Sequence, residues 1–210
     1  MLGGAGFIGS HVAAHFMREE GYRVRVVDQF GSRYFCQREI CHEFVLADLR
    51  DRRLAEDAVR GAAVVLLFAA DMGGMGFISG NDASIMTSNT RITLNVIEAC
   101  RAQRVKILVS SSSACVYPVE LQAEDTLGES TEARAVRLTE HLAWPAHPQD
   151  GYGLEKLYGE ELARYTTQAS PQLHVRVARF HNVSGPSGLG GVVTRRLPPL
   201  SCEKLLPSST

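Results

Sequence analysis

The sequence predicts an α/β fold with a doubly wound parallel sheet, and three observations carry that expectation. Short β-branched or apolar runs alternate with helix-length segments along most of the chain. Gly3, Gly6 and Gly9 recur at every third position, just ahead of a helix-like stretch. The strand that follows ends in an acid, Asp28, 19 positions after Gly9.

Taken in order, the glycine loop opens a helix that runs to about residue 20. Gly3 makes the tight turn, Gly6 lets backbone approach a pyrophosphate, and Gly9 lets the helix pack on the sheet. Phe7 and Ile8 lie in the first turn, where free amides favour an anion. A merely flexible turn would not require residues 22–28 to form a β-branched strand ending in an acid. That acid suits the hydroxyls of an adenosine ribose. Arg33 keeps a 2′-phosphate open, but Asp28 favours NAD over NADP. The expected class is therefore Rossmann-type. A loop of this kind follows a buried strand of about five or six residues. Only Met1 and Leu2 precede it, so the first strand is expected to be largely missing, leaving a gap with unpaired backbone in the sheet.

Residues 44–49 form the next strand and acidic turn, followed by a charged helix over 51–60 and an apolar strand over 64–68 that runs into Ala69-Ala70-Asp71. Asp48 can accept from an adenine amino group with Leu49 against the ring, or it can cap the following helix; both remain open. A helix over 83–103, a strand over 106–110, a helix over 151–168 and a strand over 174–178 complete the alternation. The acidic stretch 120–140 is expected to be an exposed excursion.

Composition narrows the function classes. The 210 residues make one domain, or one domain plus a fragment. A formal net charge of -1 and a pI of about 6.7 give no reason to expect nucleic acid or an anionic membrane as partner. No apolar run approaches the ~20 residues that span a bilayer. The chain enters the glycine loop with no signal peptide, so a cytoplasmic location is expected. Five scattered cysteines read as reduced thiols. Cys36, Cys41 and His42 lie close together, but no second ligand pair follows at a zinc-like spacing, and no metal is expected.

The reactive residues gather between positions 110 and 156. Tyr152 and Lys156 stand at i, i+4 on one helix face. A lysine beside a phenol lowers the phenol's pKa, so Tyr152 is expected to exchange a proton with a sugar hydroxyl near neutral pH. Ser113 offers a hydroxyl to the same oxygen, and the Cys115 thiol follows two residues later. Two loops follow strand ends, where ligands bind in such sheets. They are Asp71-Met72-Gly73-Gly74-Met75-Gly76-Phe77-Ile78 and Arg179-Phe180-His181-Asn182-Val183-Ser184-Gly185-Pro186.

Gly3, Gly6, Gly9, Asp28, Asp48, Ser113, Tyr152 and Lys156 resemble the extended short-chain dehydrogenase/reductase superfamily, which acts on nucleotide sugars. More narrowly, Ala69 to Ile78, Ser112-Ser113-Ala114-Cys115-Val116-Tyr117-Pro118, Trp144 to Lys156 and Arg179-Phe180-His181-Asn182 are similar to the GDP-mannose 3,5-epimerases. The resemblance runs to about Gly188 and implies NAD as cofactor and a GDP-sugar as substrate. It implies a cofactor site of Gly3, Gly6, Phe7, Ile8, Gly9, Asp28, Asp48, Leu49, Ala69, Ala70 and Lys156. It implies a substrate site of Gly73, Ser113, Ala114, Cys115, Tyr152 and Asn182. The implied chemistry is oxidation at C4 by Tyr152, Lys156 and Ser113, then epimerisation at C3 and C5 by Cys115 and a lysine on the opposite face. The Cys115 thiol is expected to titrate near working pH. A homodimer is implied for the complete family protein. A small buried core residue is the competing reading of Cys115, and another NAD-dependent nucleotide-sugar dehydratase or decarboxylase is the competing activity.

The resemblance fades after residue 188. Residues 1–188 are expected to form the NAD-binding domain. Residues 189–210 are expected to be an aberrant tail without the substrate domain, so that this literal chain is inactive and at most binds NAD weakly. Read one base earlier, codons for residues 192–201 chosen to fit yield Gly-Arg-Asp-Glu-Lys-Ala-Pro-Ala-Ala-Phe, which resembles the family's Gly-Gly-Arg-Glu-Lys-Ala-Pro-type stretch with one acid inserted. Its lysine then straddles Arg195 and Arg196, the pattern of a reading-frame slip.

Overall fold

The computed structural model describes residues 1–72, 80–122 and 138–185. All strands in it run parallel. β1 (Arg25–Asp28) pairs with β2 (Glu43–Leu46); β3 (Val64–Leu67), β4 (Ile107–Ser113) and β5 (His174–Phe180) pair in that order.

Leu2 joins the two groups. It bridges Val27 on one side and Leu67 on the other. Its N–H donates to Leu66 O at 2.8 Å, its carbonyl accepts from Phe68 and Ala69, and Gly3 N–H donates to Val27 O at 2.9 Å. The order across the sheet is therefore β2-β1-Leu2-β3-β4-β5, and the expected gap is bridged at the level of Leu2. Leu2 is also among the most buried side chains, worth about 1.5–3 kcal/mol of burial. Two residues back along β1 from Val27, the Arg25 guanidinium crosses to the carbonyls of Ala58 and Arg60, at 3.3 and 2.9 Å.

The helices are α1 (Phe7–Arg18), α2 (Gln37–Ile40), α3 (Arg52–Val59), α4 (Asp82–Ala102), α5 (Val119–Gln122) and α6 (Gly151–Ala169). Successive residues of β1 face opposite ways. Val26 packs with Ala13 and Ala14 of α1 and Ile40 of α2. Val27 packs in a larger core with α3, α4, Ala163 of α6, Leu108 and Val175. In α4, Ile85, Asn89, Ile92, Val96 and Ala99 recur at three- and four-residue steps and are buried. Helices thus cover both faces, the doubly wound arrangement the alternation predicts.

Three expectations change. β4 runs on to Ser113, because β5 pairs with it as far as Phe180 and Ser111 Oγ donates to Leu67 O at 3.2 Å. Two 3-10 turns, Ala114–Val116 and Glu140–Ala143, appear where the sequence gives no periodicity to read. Cys36 is disulfide-bonded rather than reduced, at a buried position at the head of α2, while Cys41, Cys100 and Cys115 are free. Cys41 packs into the core and His42 Nδ1 accepts from Val24 N–H, so structural contacts occupy both. Among the described residues no group of three His, Cys, Asp or Glu side chains is placed to hold a metal, and no helix is long and apolar enough to cross a membrane. Most of the acidic excursion (123–137) and the tail beyond residue 185 lie outside the described residues.

Candidate active site

The glycine loop lies between the C-terminal ends of β1 and β3. Gly3 has φ +76°, and a Cβ there would stand 2.4 Å from Ala69 N; a Cβ on Gly9 would stand 2.2 Å from Gly3 O. Those two glycines are demanded by the fold itself. A Cβ on Gly6 would meet only Gly3 O at 3.5 Å, an ordinary contact. The space Gly6 leaves open belongs to a cleft of about 610 Å³, which suits a group that approaches the backbone there. No side chain caps α1, so its first turn, with Phe7 and Ile8, offers backbone amides to an anion.

Asp28 stands at the lip of this cleft. Its Oδ2 accepts from Ala5 N–H at 2.9 Å and its Oδ1 from Gln29 N–H at 2.8 Å, leaving lone pairs on each oxygen for ribose hydroxyls. Leu49, Ala69 and Ala70 line the cleft as expected, and Arg33 lines it too. Asp48 does not. The Arg50 guanidinium holds its carboxylate at 2.6–3.0 Å and keeps its pKa below the usual range, and Arg50 lines the cleft in its place. Asp48 is not the helix cap either. Asp51 is, accepting from Arg53 and Leu54 N–H.

The reactive cluster assembles where β4 ends. Ser113 Oγ accepts from Cys115 N–H at 3.2 Å and starts the 3-10 turn, while Asp150 Oδ1 accepts from Gly153 N–H at 2.7 Å and caps α6. These two caps bring Tyr152 and Cys115 together. Tyr152 packs with Ile85, and Cys115 lies against that pair on the turn capped by Ser113. Ala114 occupies the same turn.

Electrostatics depart from the simple pairing of lysine with phenol. Burial, then the Glu155 carboxylate, push Tyr152 up to about 12. Burial likewise raises the Cys115 thiol above its ordinary value, so neither group titrates near neutral pH in this state. The cause is visible. The Lys156 ammonium stands 3.4 Å from Glu155 Oε1 and 5.5 Å from the Tyr152 ring centroid, so the carboxylate opposes its charge. Glu155 also accepts from Asn89 Nδ2 at 2.9 Å, and Asn89 bonds both backbone groups of Asp71, a cleft residue. The buried chain Lys156–Glu155–Asn89–Asp71 thus links the reactive cluster to the cleft. Lys156 itself lies with the cluster and does not line the cleft. Asn182 is exposed, two residues past β5, and Gly73 lies outside the described residues.

Sequence reasoning missed Glu155 and Asn89. The signal was available. Tyr152, Glu155, Lys156, Gly159 and Ala163 form a three- and four-residue stripe, and charges on the buried stripe of an amphipathic helix mark a polar network.

Gly153 sets how closely α6 approaches the turn. A Cβ there would stand 2.1 Å from Cys115 O and 2.8 Å from Cys115 C, whereas a Cβ on Gly159 would meet only Thr93 Cγ2 at 3.5 Å. Gly153→Ala is therefore expected to destabilise the protein by about 1–3 kcal/mol through overpacking. Gly159→Ala is expected to be neutral or to stabilise by up to about 1 kcal/mol through helix propensity. Thermal melts of the two variants check this; equal effects would show that the close approach does not matter.

A phosphate-cradling cleft bordered by a Ser–Tyr–Lys cluster defines a dinucleotide-dependent enzyme fold of the short-chain dehydrogenase kind. The family model described as "NAD dependent epimerase/dehydratase family" matches residues 1–204, and the chain belongs to that family. It is 41% identical over 209 residues to GDP-mannose 3,5-epimerase 1 of Oryza sativa subsp. japonica, covering all of this chain and 52% of that protein. It is 40% identical over 209 residues to GDP-mannose 3,5-epimerase of Arabidopsis thaliana, covering all of this chain and 53% of that one. The chain thus spans about half the length of these relatives. Among solved structures, it resembles UDP-glucose 4-epimerase of Thermus thermophilus in complex with NAD, with TM-score 0.71 and 28% identity, over 89% of this chain and 55% of that one.

Proposed function

We propose that this site serves the epimerisation of a GDP-linked hexose of the GDP-mannose type at C3 and C5, through a transient 4-keto sugar. The observation that carries the reading is the Cys115 thiol, packed beside the Tyr152 ring on the turn that the Ser113 hydroxyl caps. The names of the relatives supply the sugar.

The cleft fits NAD: a loop that excludes side chains at Gly3 and Gly9, an open Gly6, uncapped α1 amides and Asp28 at the lip. Bound NAD supplies a reversible hydride acceptor. Tyr152 takes the proton of the C4 hydroxyl as hydride leaves C4, and Ser113 orients that hydroxyl. The resulting ketone acidifies the C3 and C5 hydrogens, whose removal leaves an enolate. Cys115 exchanges protons with these carbons on its side of the sugar, and inversion at each needs a second acid/base group, implied to be a lysine, on the opposite face. Return of proton and hydride to C4 closes the cycle with no net redox change. Incubating a protein completed to its relatives' length with NAD and GDP-mannose in D2O, then locating deuterium by NMR, tests the reading. Label at C3 and C5 is expected. NAD binding with no label, or turnover of UDP-glucose instead, would sink it.

Glu155→Gln supplies a pH test. Removing the carboxylate's charge favours the Tyr152 phenolate, so the tyrosine's pKa falls. The rise of substrate-dependent NAD reduction with pH should then begin at lower pH than in the parent. A profile that stays in place or moves upward would show that Glu155 does not restrain Tyr152.

A further inference from the structure

Arg179 stands near the end of β5, outside both the cleft and the reactive cluster, yet three other segments converge on it and a fourth on its partner Glu160. Its Nε and Nη2 donate to the two Glu160 oxygens of α6, at 2.9 and 2.6 Å. Its Nη1 donates to Tyr117 Oη at 3.2 Å and to the Glu140 carbonyl at 2.7 Å, and its guanidinium lies 5.0 Å from the Tyr117 ring centroid. Glu160 Oε1 also accepts from Ser112 Oγ at 2.6 Å. The ion pair is largely buried, with side-chain exposures of 14% and 13%. Such a fork is geometrically specific in a way a lysine is not.

Its location relative to Cys115 is informative. Ser112 and Tyr117 bracket the 3-10 turn: Ser112 precedes its cap Ser113, and Tyr117 N–H closes it onto Ala114 O at 3.1 Å. Tyr117 packs with Val116 and Leu157 beneath the turn. Both ends of the segment that bears the thiol are therefore tied to one guanidinium–carboxylate pair. Tyr152 and Lys156 are fixed by other means, namely the Asp150 cap and the Glu155–Asn89 bonds.

We propose that Arg179, through Glu160, Ser112 and Tyr117, is a positioning residue that holds the Cys115 turn, separately from the machinery for hydride transfer. The inference rests on the reaction proposed above for what Cys115 does, but not for where Cys115 is held. Releasing the turn should expose a thiol that is now half-buried between Ile85 and Tyr152.

The test compares Arg179→Met, Arg179→Lys and Tyr117→Phe with the parent and with Arg101→Met. The last cuts the Arg101 Nε–Ser170 Oγ bond at the far end of α6 and controls for general loosening. The first readout is the rate at which iodoacetamide alkylates Cys115, followed peptide by peptide. Arg179→Met should alkylate at least about tenfold faster, the scale of a lost charged hydrogen bond. Its alkylation profile should also move to lower pH as burial is relieved. Arg179→Lys should restore part of the effect, Tyr117→Phe should produce a smaller one, and Arg101→Met should leave the rate unchanged.

The second readout uses NAD and GDP-mannose. Deuterium exchange at C3 and C5 should fall in Arg179→Met by a larger factor than transient NAD reduction does. Parent-rate alkylation in both Arg179→Met and Tyr117→Phe, equal acceleration in Arg101→Met, or equal loss of exchange and hydride transfer would each overturn the proposal. If the parent shows no exchange, the reaction is misread while alkylation still decides the role of Arg179. Should Arg179→Met fail to fold, Tyr117→Phe, which removes one hydroxyl, carries the same decision.

Discussion

Tyr152→Phe is expected to lower hydride transfer from the sugar by about 10²–10⁴-fold while leaving NAD affinity unchanged. The phenol is the group placed to take the C4 proton, and the ring can stay where Ile85 packs against it. What is lost is one oxygen. Lys156→Ala should behave differently. It leaves Glu155 buried without its cation, so both NAD binding and hydride transfer should weaken. Single-turnover NAD reduction, with NAD affinity measured separately by calorimetry, distinguishes the variants. Equal loss of NAD binding in both would contradict these separate roles.

In a protein completed to its relatives' length, Cys115→Ser should produce the other large effect. The replacement is close in size and keeps the backbone N–H that donates to Ser113 Oγ, so the turn should persist. A hydroxyl is a far weaker acid than a thiol, even a thiol raised by burial. Exchange of the C3 and C5 hydrogens with solvent should therefore fall by a factor at the upper end of about 10²–10⁴. Transient NAD reduction should survive, because C4 is oxidised without Cys115. Deuterium labelling checks this, and exchange at the parent rate would return Cys115 to the role of a small buried residue.

Much of this was legible in the sequence, for stated physical reasons. Gly3 and Gly9 are glycines because backbone passes too close for a Cβ, and Asp28 follows at the distance a helix and a turn dictate. The parallel strands announced themselves as β-branched runs, and Tyr152, Ser113 and Cys115 meet as their order implied. Other features were not legible because they depend on which side chains meet across the fold. Asp48 was expected at a ligand, but Arg50, two residues on, captures it. The lysine expected to acidify Tyr152 is neutralised by its own neighbour, Glu155, and adjacent residues on a helix give no reason to expect a pair. β4 continued through a run of serines because β5 offered it a full-length partner.

The bonds that assemble the reacting half span long stretches of chain: 48 residues from Ser112 to Glu160, 62 from Tyr117 to Arg179 and 66 from Asn89 to Glu155. The glycine loop meets its acid over only 23, from Ala5 to Asp28, although Leu2 beside it also bonds Leu66 at the end of β3. Loop closure must precede the contacts that reward it, so long-range pairings of a parallel sheet form slowly. During synthesis Asp28 can reach Ala5 early, and the glycine loop is seated once β3 has followed. The Cys115 turn has no Arg179 to hold it until β5 has left the ribosome. Until then the growing chain carries the Cys115 turn without its guanidinium anchor, and the cluster around that thiol is the last part of the described fold to be fastened.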